Sequence, residues 1–150
     1  MRGCSCEVRS RDVNDLIDFH DLTIDSLLVD SKGRRLVLRA SDAHAPDAPA
    51  STVEFSGVGG YCLVGDVLGT IICDLEEREP LELYREFATR LQADYSKSGA
   101  HDPWVVTEPD AVTYFRENSI RAFAMYPSIG AIGAIWCREV HMWVDSNGSA

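Results

Sequence analysis

The sequence predicts an α+β domain, built from an antiparallel sheet with two helices packed on one side. Apolar and polar residues alternate in the first third of the chain, which is typical of half-buried strands. Between residues 80 and 118 the apolar spacing becomes that of helices, and from residue 120 the chain is again extended in character and rich in aromatic residues. Strands, then helices, then strands is the order of an α+β domain with segregated helices.

The first two strands form a predicted hairpin. Alternation over residues 22–28 places Ile24 and Leu28 on the core face, and residues 35–39 alternate again. The intervening Asp-Ser-Lys-Gly sequence predicts a tight turn, in which Gly33 adopts the positive φ.

Three more extended segments follow the hairpin. A surface loop rich in Ala, Asp and Pro, residues 41–51, leads to a third strand at Thr52–Ser56. A glycine-rich bend at residues 57–60 then separates this strand from extended segments at Tyr61–Val64 and Val67–Leu75.

Two helices are predicted in the middle of the chain. The first begins at Pro80, and its apolar residues keep helical spacing through Tyr95. The second runs from about Pro109 to Asn118. It is preceded by Thr107, and the Thr-Glu-Pro-Asp sequence there resembles a capping box with Asp in the place of Glu.

Two C-terminal strands complete a predicted single domain of residues 1–150. They are Arg121–Tyr126 and Ala131–Val144, the second of which we expect to be divided. Residues 1–11 and 145–150 are polar and are expected to be loose ends.

Composition restricts the classes of partner. The formal net charge is −10, and each half of the chain holds seven basic and twelve acidic residues, so no basic arm is concealed. The basic cluster at residues 32–35 falls on the predicted hairpin tip. Nucleic acid, whose phosphates require clustered cations, and anionic membrane surfaces are therefore disfavoured as partners.

The cysteines and the apolar segments indicate a location. Five cysteines at irregular spacing do not describe a disulfide framework. No apolar segment has the length of a membrane span, and the first residues lack the apolar stretch of a signal peptide. We expect a cytoplasmic protein in a reducing environment.

The most distinctive feature is a run of acidic residues. Residues 12–30 contain six aspartates and neither lysine nor arginine. Such a run is either a solvated face that keeps the protein soluble or a docking surface that attracts a basic protein partner. The docking hypothesis assigns electrostatic steering to Asp15, Asp18, Asp21, Asp25, Glu76 and Glu77.

No motif for catalysis or for a cofactor stands out. The glycine-rich bend lacks the lysine and the following helix of a phosphate loop. The four histidines do not pair at metal-ligand spacing, and no nucleophile-elbow pattern is present. We therefore expect no catalytic residue, metal or cofactor. The alternative is a small-molecule-binding or enzymatic domain with a pocket between sheet and helices, lined by His20, Tyr61, Cys62 and His141.

The first hairpin also carries a family resemblance. Phe19-His20-Asp21, followed by the hairpin and then by Val53-Glu54-Phe55-Ser56-Gly57-Val58, resembles a pattern in small bacterial proteins of unassigned function. Some of these are grouped with polymorphic-toxin immunity proteins. The resemblance implies a non-enzymatic interaction protein that neutralises a basic effector. A homodimer is a third possibility, if Ala131–Val144 forms an exposed edge strand.

Overall fold

The computed structural model describes residues 21–65, 69, 71–98, 103–129 and 132–145. Within them it has eight strands and two α-helices, and every strand pair in the sheet is antiparallel. The predicted α+β class and the antiparallel sheet are therefore confirmed. Predictions that concern residues 1–20 lie outside the described part of the chain. None of the described helices is long and apolar enough to cross a membrane.

The elements follow one another with short connections, and a single turn of 3-10 helix at Pro103–Val105 precedes the second α-helix. In chain order they are β1 Leu22–Asp30, β2 Arg35–Ser41, β3 Ser51–Ser56, β4 Gly60–Val64, β5 Ile71–Arg78, α1 Pro80–Ser98, α2 Glu108–Glu117, β6 Arg121–Ile129, β7 Ile132–Cys137 and β8 Glu139–Val144.

The sheet has two halves with the same arrangement. Its strand order is β4-β7-β6-β5-β1-β2-β3-β8, so one half is β1-β2-β3-β8 and the other is β5-β6-β7-β4. Each half thus takes its fourth strand from the other half of the chain. The halves meet where β1 and β5 share two residue pairs, and also where two strands turn a corner from one half to the other.

The corner is formed by two neighbouring chain segments. Residues 57–59 connect β3 to β4, and Arg138 alone connects β7 to β8. Backbone hydrogen bonds continue through the corner, because the amide of Arg138 donates to Ser56 and the amide of Gly59 donates to Trp136. The predicted division of the last strand is confirmed, and it falls at Arg138. Of the two strands that this division produces, β8 lies at an edge of the sheet, whereas β7 lies between β4 and β6.

The main core lies between the inner faces of the two halves. Phe55 of β3 and Phe123 of β6 belong to different halves, and their ring centroids are 5.6 Å apart. Strand alternation supplies the rest of this core, as the sequence predicts for the inward residues of β2 and β3. Its buried members are Ile24, Leu36, Leu38, Ala40, Val53, Phe55, Val58, Ile72, Leu75, Phe123, Met125, Ile135, Cys137 and Val140.

A second cluster joins β6 and β7 to the helices. On β6 and β7, the side chains that alternate with those of the main core point to the opposite face of the sheet. They are three alanines and Trp136, and they cluster with apolar residues of both helices. The indole N–H of Trp136 donates to the carbonyl of Pro80 at 3.1 Å. The strand and helix members are Ala122, Ala124, Ala134, Trp136, Leu83, Tyr84, Leu91, Ala111 and Phe115.

A bulge in β1 corrects the predicted face of Leu28. The register shifts between Ile24 and Ser26, so one extra residue enters the strand there. Because side chains alternate with a period of two, the extra residue exchanges the two faces beyond it. Leu27 therefore packs against the core, while Leu28 is 51% exposed.

The turn between β1 and β2 corrects the role of Gly33. Positive φ occurs at Arg34 (52°), not at Gly33. The amide of Gly33 donates to a carboxylate oxygen of Asp30 at 2.8 Å. A Cβ at this glycine would lie 2.4 Å from the other carboxylate oxygen, so glycine provides space here rather than an unusual φ.

Candidate functional site

A cleft between the sheet corner and α2 is the candidate site. Its volume is about 730 Å³, which lies within the usual range for small-molecule sites. One wall comes from the β1–β2 turn and the corner, and the other comes from α2. The lining residues are Arg34, Gly57, Val58, Trp104, Asp110, Thr113, Tyr114, Glu117 and Arg138.

The α2 wall is one face of that helix. Asp110, Thr113, Tyr114 and Glu117 recur at i, i+3, i+4 and i+7, so they project to the same side. The helix is positioned at its start by Thr107, whose hydroxyl oxygen accepts a hydrogen bond from the Asp110 amide. The predicted N-cap is confirmed. The Asp110 carboxylate accepts from the Thr107 hydroxyl, however, instead of closing a capping box on the backbone.

The glycine-rich bend forms part of the opposite wall. It joins two strands, as predicted, and Gly57 has a positive φ of 60°. A Cβ at Gly59 would lie 2.3 Å from the Tyr114 hydroxyl, and one at Gly60 would lie 2.7 Å from the Trp104 ring. The indole N–H of Trp104 donates to the Gly59 carbonyl at 3.1 Å. The glycines therefore allow α2 and the aromatic residues to approach the corner closely.

Arginines stand at both ends of the corner wall. The guanidinium of Arg138 donates to the side-chain oxygen of Asn118, the C-cap of α2, at 2.6 Å. Arg34 is held at the hairpin turn, and its carbonyl accepts from the amide of Val58 at 2.9 Å. A second cavity of about 260 Å³ shares Arg34 and Val58 with the cleft and extends to Tyr61.

The structure does not bring the predicted pocket residues together. Tyr61 and Cys62 are neighbours on β4, so Tyr61 packs against the main core and Cys62 joins the helix cluster. His141 lies on β8, where its Nε2 is 3.4 Å from a Glu139 carboxylate oxygen and its Nδ1 is buried without a hydrogen-bond partner. His20 lies outside the described residues. Among the described members of this set, Tyr61 alone lines either cavity.

Two of the predicted steering residues are engaged by arginines. An Asp25 carboxylate oxygen lies 3.6 Å from the guanidinium of Arg39. Glu77 accepts two hydrogen bonds from Arg121, at 2.8 and 2.9 Å, and this hydrogen bonding raises the pKa of the Arg121 guanidinium. Glu77 is therefore largely neutralised within the molecule. Asp25 shares its arginine, because Arg39 also donates to Asp145 at 2.8 Å.

The other steering residues differ in position. Asp15 and Asp18 lie outside the described residues. Asp21 and Glu76 are both exposed, and the backbone amide of Asp21 donates to Ile72, on the strand that carries Glu76. Asp74, which the sequence analysis left out, is exposed on the same strand. In strand alternation Asp74 and Glu76 share a face, and they lie opposite Tyr126 and Ala124 of β6, beyond the two residue pairs of the β1–β5 junction.

Within the described part of the chain, no group of three or more His, Cys, Asp or Glu residues is arranged to hold a metal ion. Cys62 and Cys137, both buried, are not joined in disulfides. Sequence reasoning missed the cleft, although the spacing of Asp110, Tyr114 and Glu117 on one helix face was visible beforehand. The sequence does not reveal that the glycine-rich bend packs against this helix face.

Comparison with known proteins adds no assignment. A search against protein-family models and a search of curated proteins each find no match to this chain.

Proposed function

We propose that this chain is a non-enzymatic interaction protein that binds a basic protein partner through carboxylates on β5. The observation that carries the proposal is the state of Asp74 and Glu76. Both are exposed, and neither forms an ion pair with any described residue. Uncompensated carboxylates on one strand face attract a cationic surface and increase the rate of encounter.

Fewer residues steer a partner in this proposal than the sequence predicts. Glu77 already binds Arg121, so a partner gains little from it. Asp25 lies 3.6 Å from Arg39, an arginine that it shares with Asp145, and is left out of the proposed docking set.

Asp74 and Glu76 remain, and the backbone amide of Asp21 donates to Ile72 on the same strand. The net charge of −10 favours attraction of basic proteins in general. The exposed carboxylates Asp74 and Glu76 mark the surface where a partner would bind.

The arrangement of the layers is part of the proposal. We infer that both helices cover one side of the sheet, and the cluster shared by helix residues with β6 and β7 supports this. Asp74 and Glu76 lie opposite Tyr126 and Ala124, which cluster with helix residues, so both carboxylates face the helix side of the sheet. They remain exposed there and are accessible to a partner. The buried cysteines Cys62 and Cys137, which are not in disulfides, suit a reducing cytoplasm. The resemblance to immunity proteins favours a basic effector as the partner.

The experiment measures association with an octa-arginine peptide at about 20 and about 300 mM salt, conditions that screen exposed charges differently. The variant Asp74→Asn/Glu76→Gln removes two charges from β5. Its control, Asp42→Asn/Asp47→Asn, removes two charges from the loop between β2 and β3. We expect the β5 variant to associate roughly three- to tenfold more slowly at low salt and nearly normally at high salt.

The control separates local from overall charge. Because both variants have the same net charge, a local docking surface requires a clearly larger effect at β5 than at the loop. Equal slowing of the two variants, or no slowing of either, would contradict the proposal.

A further inference from the structure

We propose that β8 pairs edge to edge with β8 of a second copy of this chain, which gives a two-fold symmetric dimer. The same segment, Glu139–Val144, would meet itself in antiparallel orientation. Among the described strands β8 lies at an edge of the sheet, with β3 as its neighbour on one side. This interface is separate from the carboxylates of β5, so the inference does not depend on the proposed basic partner.

The backbone groups of β8 alternate between β3 and the free edge. Asp145 lies opposite Ala50 in the continued register, and its amide donates to the Ala50 carbonyl at 2.7 Å. In an antiparallel ladder such hydrogen-bonded pairs recur at every second residue. Val140, Met142 and Val144 therefore direct their amides and carbonyls away from β3, and no other described strand pairs with β8 there.

The β8 edge lacks the features by which sheet edges usually resist pairing. Its sequence, Glu-Val-His-Met-Trp-Val, contains neither lysine nor proline. The register with β3 is unbroken along the strand, so no bulge interrupts the edge. Val144 is 59% exposed, the highest fraction among the large apolar side chains of the described residues. A second strand at this edge would cover that apolar surface.

Strand geometry selects one register for the pair. Side chains that meet across an antiparallel pair share a face, so the two-fold axis must pass through a residue. With the axis at Met142, this residue meets its own copy, and Val140 meets the partner's Val144. All three residues have backbone groups at the free edge, so this register allows about six hydrogen bonds, whereas an axis at either neighbouring residue allows about four.

The side chains are compatible with this register on both faces of the sheet. Val140 belongs to the main core and Met142 packs against it, so pairing extends the apolar core of one copy towards that of the other. On the opposite face His141 meets the partner's Trp143, and both side chains are partly exposed. Aromatic cross-strand pairs stabilise antiparallel sheets.

Charge determines the conditions under which the dimer forms. Each chain carries a formal charge of −10, so two copies repel one another at low salt. Glu139 also faces the partner's Asp145, although that carboxylate is bonded to Arg39 and Thr52 of its own chain. Salt screens both repulsions, so association of two copies should strengthen as the salt concentration rises. Binding of a basic partner has the opposite dependence, which distinguishes the two proposals.

The test measures the oligomeric state by analytical ultracentrifugation from about 1 to about 500 µM protein, at about 20 and about 300 mM salt. One short strand pair is smaller than a standard interface, so we expect a reversible monomer–dimer equilibrium. Its dissociation constant should be on the order of 10–100 µM at high salt and at least about fivefold larger at low salt.

A matched pair of variants locates the interface. Val144→Lys places a charge opposite the partner's Val140 and should raise the dissociation constant at least about tenfold. Leu28→Lys makes the same change of charge at an exposed apolar residue of β1, which is an interior strand of the sheet. This control should keep the dissociation constant within about twofold of the wild type, and circular dichroism checks the fold of both variants.

Hydrogen exchange reports which backbone groups form the interface. The amides of Val140, Met142 and Val144 should exchange at least about fivefold more slowly at high than at low protein concentration, because dimerisation gives them hydrogen-bond partners. The amides of His141 and Trp143, which bond to β3 in the alternation described above, should change by less than about twofold.

Cross-linking tests the register in a Cys4→Ser/Cys6→Ser background, which is also the control. Met142→Cys should form a disulfide-linked dimer under mild oxidation, because the Cα atoms of a hydrogen-bonded pair are about 5.5 Å apart, within the range of a disulfide. Val144→Cys should not, because the two copies of this residue lie at least roughly 14 Å apart in the same register.

Four results would overturn the proposal. They are a chain that stays monomeric at about 500 µM in high salt, equal weakening by Val144→Lys and Leu28→Lys, a dimer in which Met142→Cys does not cross-link, and edge amides that are protected at every concentration. The last would show that another segment of the same chain covers β8. The Asp74→Asn/Glu76→Gln variant should dimerise at least as well as the wild type, so failure here and failure of the docking proposal are distinguishable.

Discussion

Close approach at Gly59 fixes the distance between the sheet corner and α2. The φ of Gly59 lies outside the left-handed region, so its backbone could accept another residue. A Cβ there would instead lie 2.3 Å from the Tyr114 hydroxyl and 2.9 Å from its Cε1. The ring cannot move away easily, because it is stacked on Trp104. The requirement for glycine is therefore one of space.

We expect Gly59→Ala to lower the free energy of unfolding by about 1–3 kcal/mol, the usual range for overpacking a filled site. Urea denaturation followed by circular dichroism measures this. In a Tyr114→Leu background the clashing ring is gone, so the same substitution should cost less than half as much. Equal costs in the two backgrounds would show that Tyr114 does not impose the constraint.

The buried thiol of Cys137 should make the free energy of unfolding depend on pH. This residue is fully buried, and burial raises the pKa of its thiol from 9.0 to about 12, against the opposing influence of Arg121. Above pH 9 the unfolded chain therefore releases this proton while the folded chain retains it. The folded state loses stability as the pH rises through this window.

The prediction compares the wild type with Cys137→Ala between pH 9 and pH 11. The unfolding free energy of the wild type should fall more steeply, by up to about 1.4 kcal/mol per pH unit, because the variant lacks the titrating thiol. Urea midpoints at several pH values give both slopes. Parallel slopes would mean that the thiol ionises equally in the two states.

At the scale of elements, the end of the main core is closed by an ion pair between β5 and β6. Glu77 and Arg121 form two hydrogen bonds, and the Arg121 guanidinium lies 5.3 Å from the centroid of the Phe123 ring. The two side chains are 21% and 30% exposed, so water screens them only in part. Glu77 is therefore assigned to the fold rather than to docking.

Glu77→Gln should reduce the unfolding free energy by about 1–3 kcal/mol, since the substitution leaves Arg121 without its carboxylate. Glu76→Gln is the matched control, because it makes the same change one residue earlier on an exposed face. That variant should stay within about 0.5 kcal/mol of the wild type. A similar loss for both residues would remove the distinction between them.

The elements themselves were largely predictable from local pattern. Alternation identified β1, β2 and β3, and helical spacing with Pro80 and Thr107 identified both helices. Long-range pairing was not readable, because it depends on contacts distant in sequence. Glu86 is an example. It lies four residues before Arg90, a spacing that favours an ion pair within one helix, yet it binds Arg78 of β5 at 2.8 Å. The bulge near Asp25 was equally invisible, since the alternation on either side of it looks continuous.

At the scale of the whole molecule, the two halves of the sheet share one plan. The connection between β1 and β2 is a short turn, whereas the equivalent connection between β5 and β6 holds both helices. This difference hides the likeness in the sequence, where no repeat is evident. Through the corner, β3 continues into β4 and β7 continues into β8, so each half supplies the other with its fourth strand.

The two junctions between the halves differ in strength. At the β1–β5 junction the strands share two residue pairs. At the corner, by contrast, the chain itself crosses twice from one half to the other, through residues 57–59 and through Arg138. On either side of it, β3 pairs with β8 and β4 pairs with β7 along their whole lengths. Local opening with little loss of buried contact should therefore begin at the β1–β5 junction, on the strand that carries the proposed docking carboxylates.

Native-state hydrogen exchange tests this order of opening. The amides of Asp21 and Gly69 bond across the β1–β5 junction, and those of Gly59 and Arg138 bond across the corner. We expect protection factors at the junction to be at least about tenfold lower than at the corner, where exchange should require an opening close to global unfolding. Equal protection at both sites would mean that the halves separate in one cooperative step. A partner that binds Asp74 and Glu76 should then raise protection at Asp21 first, because the docking carboxylates and the weakest junction lie on the same strand.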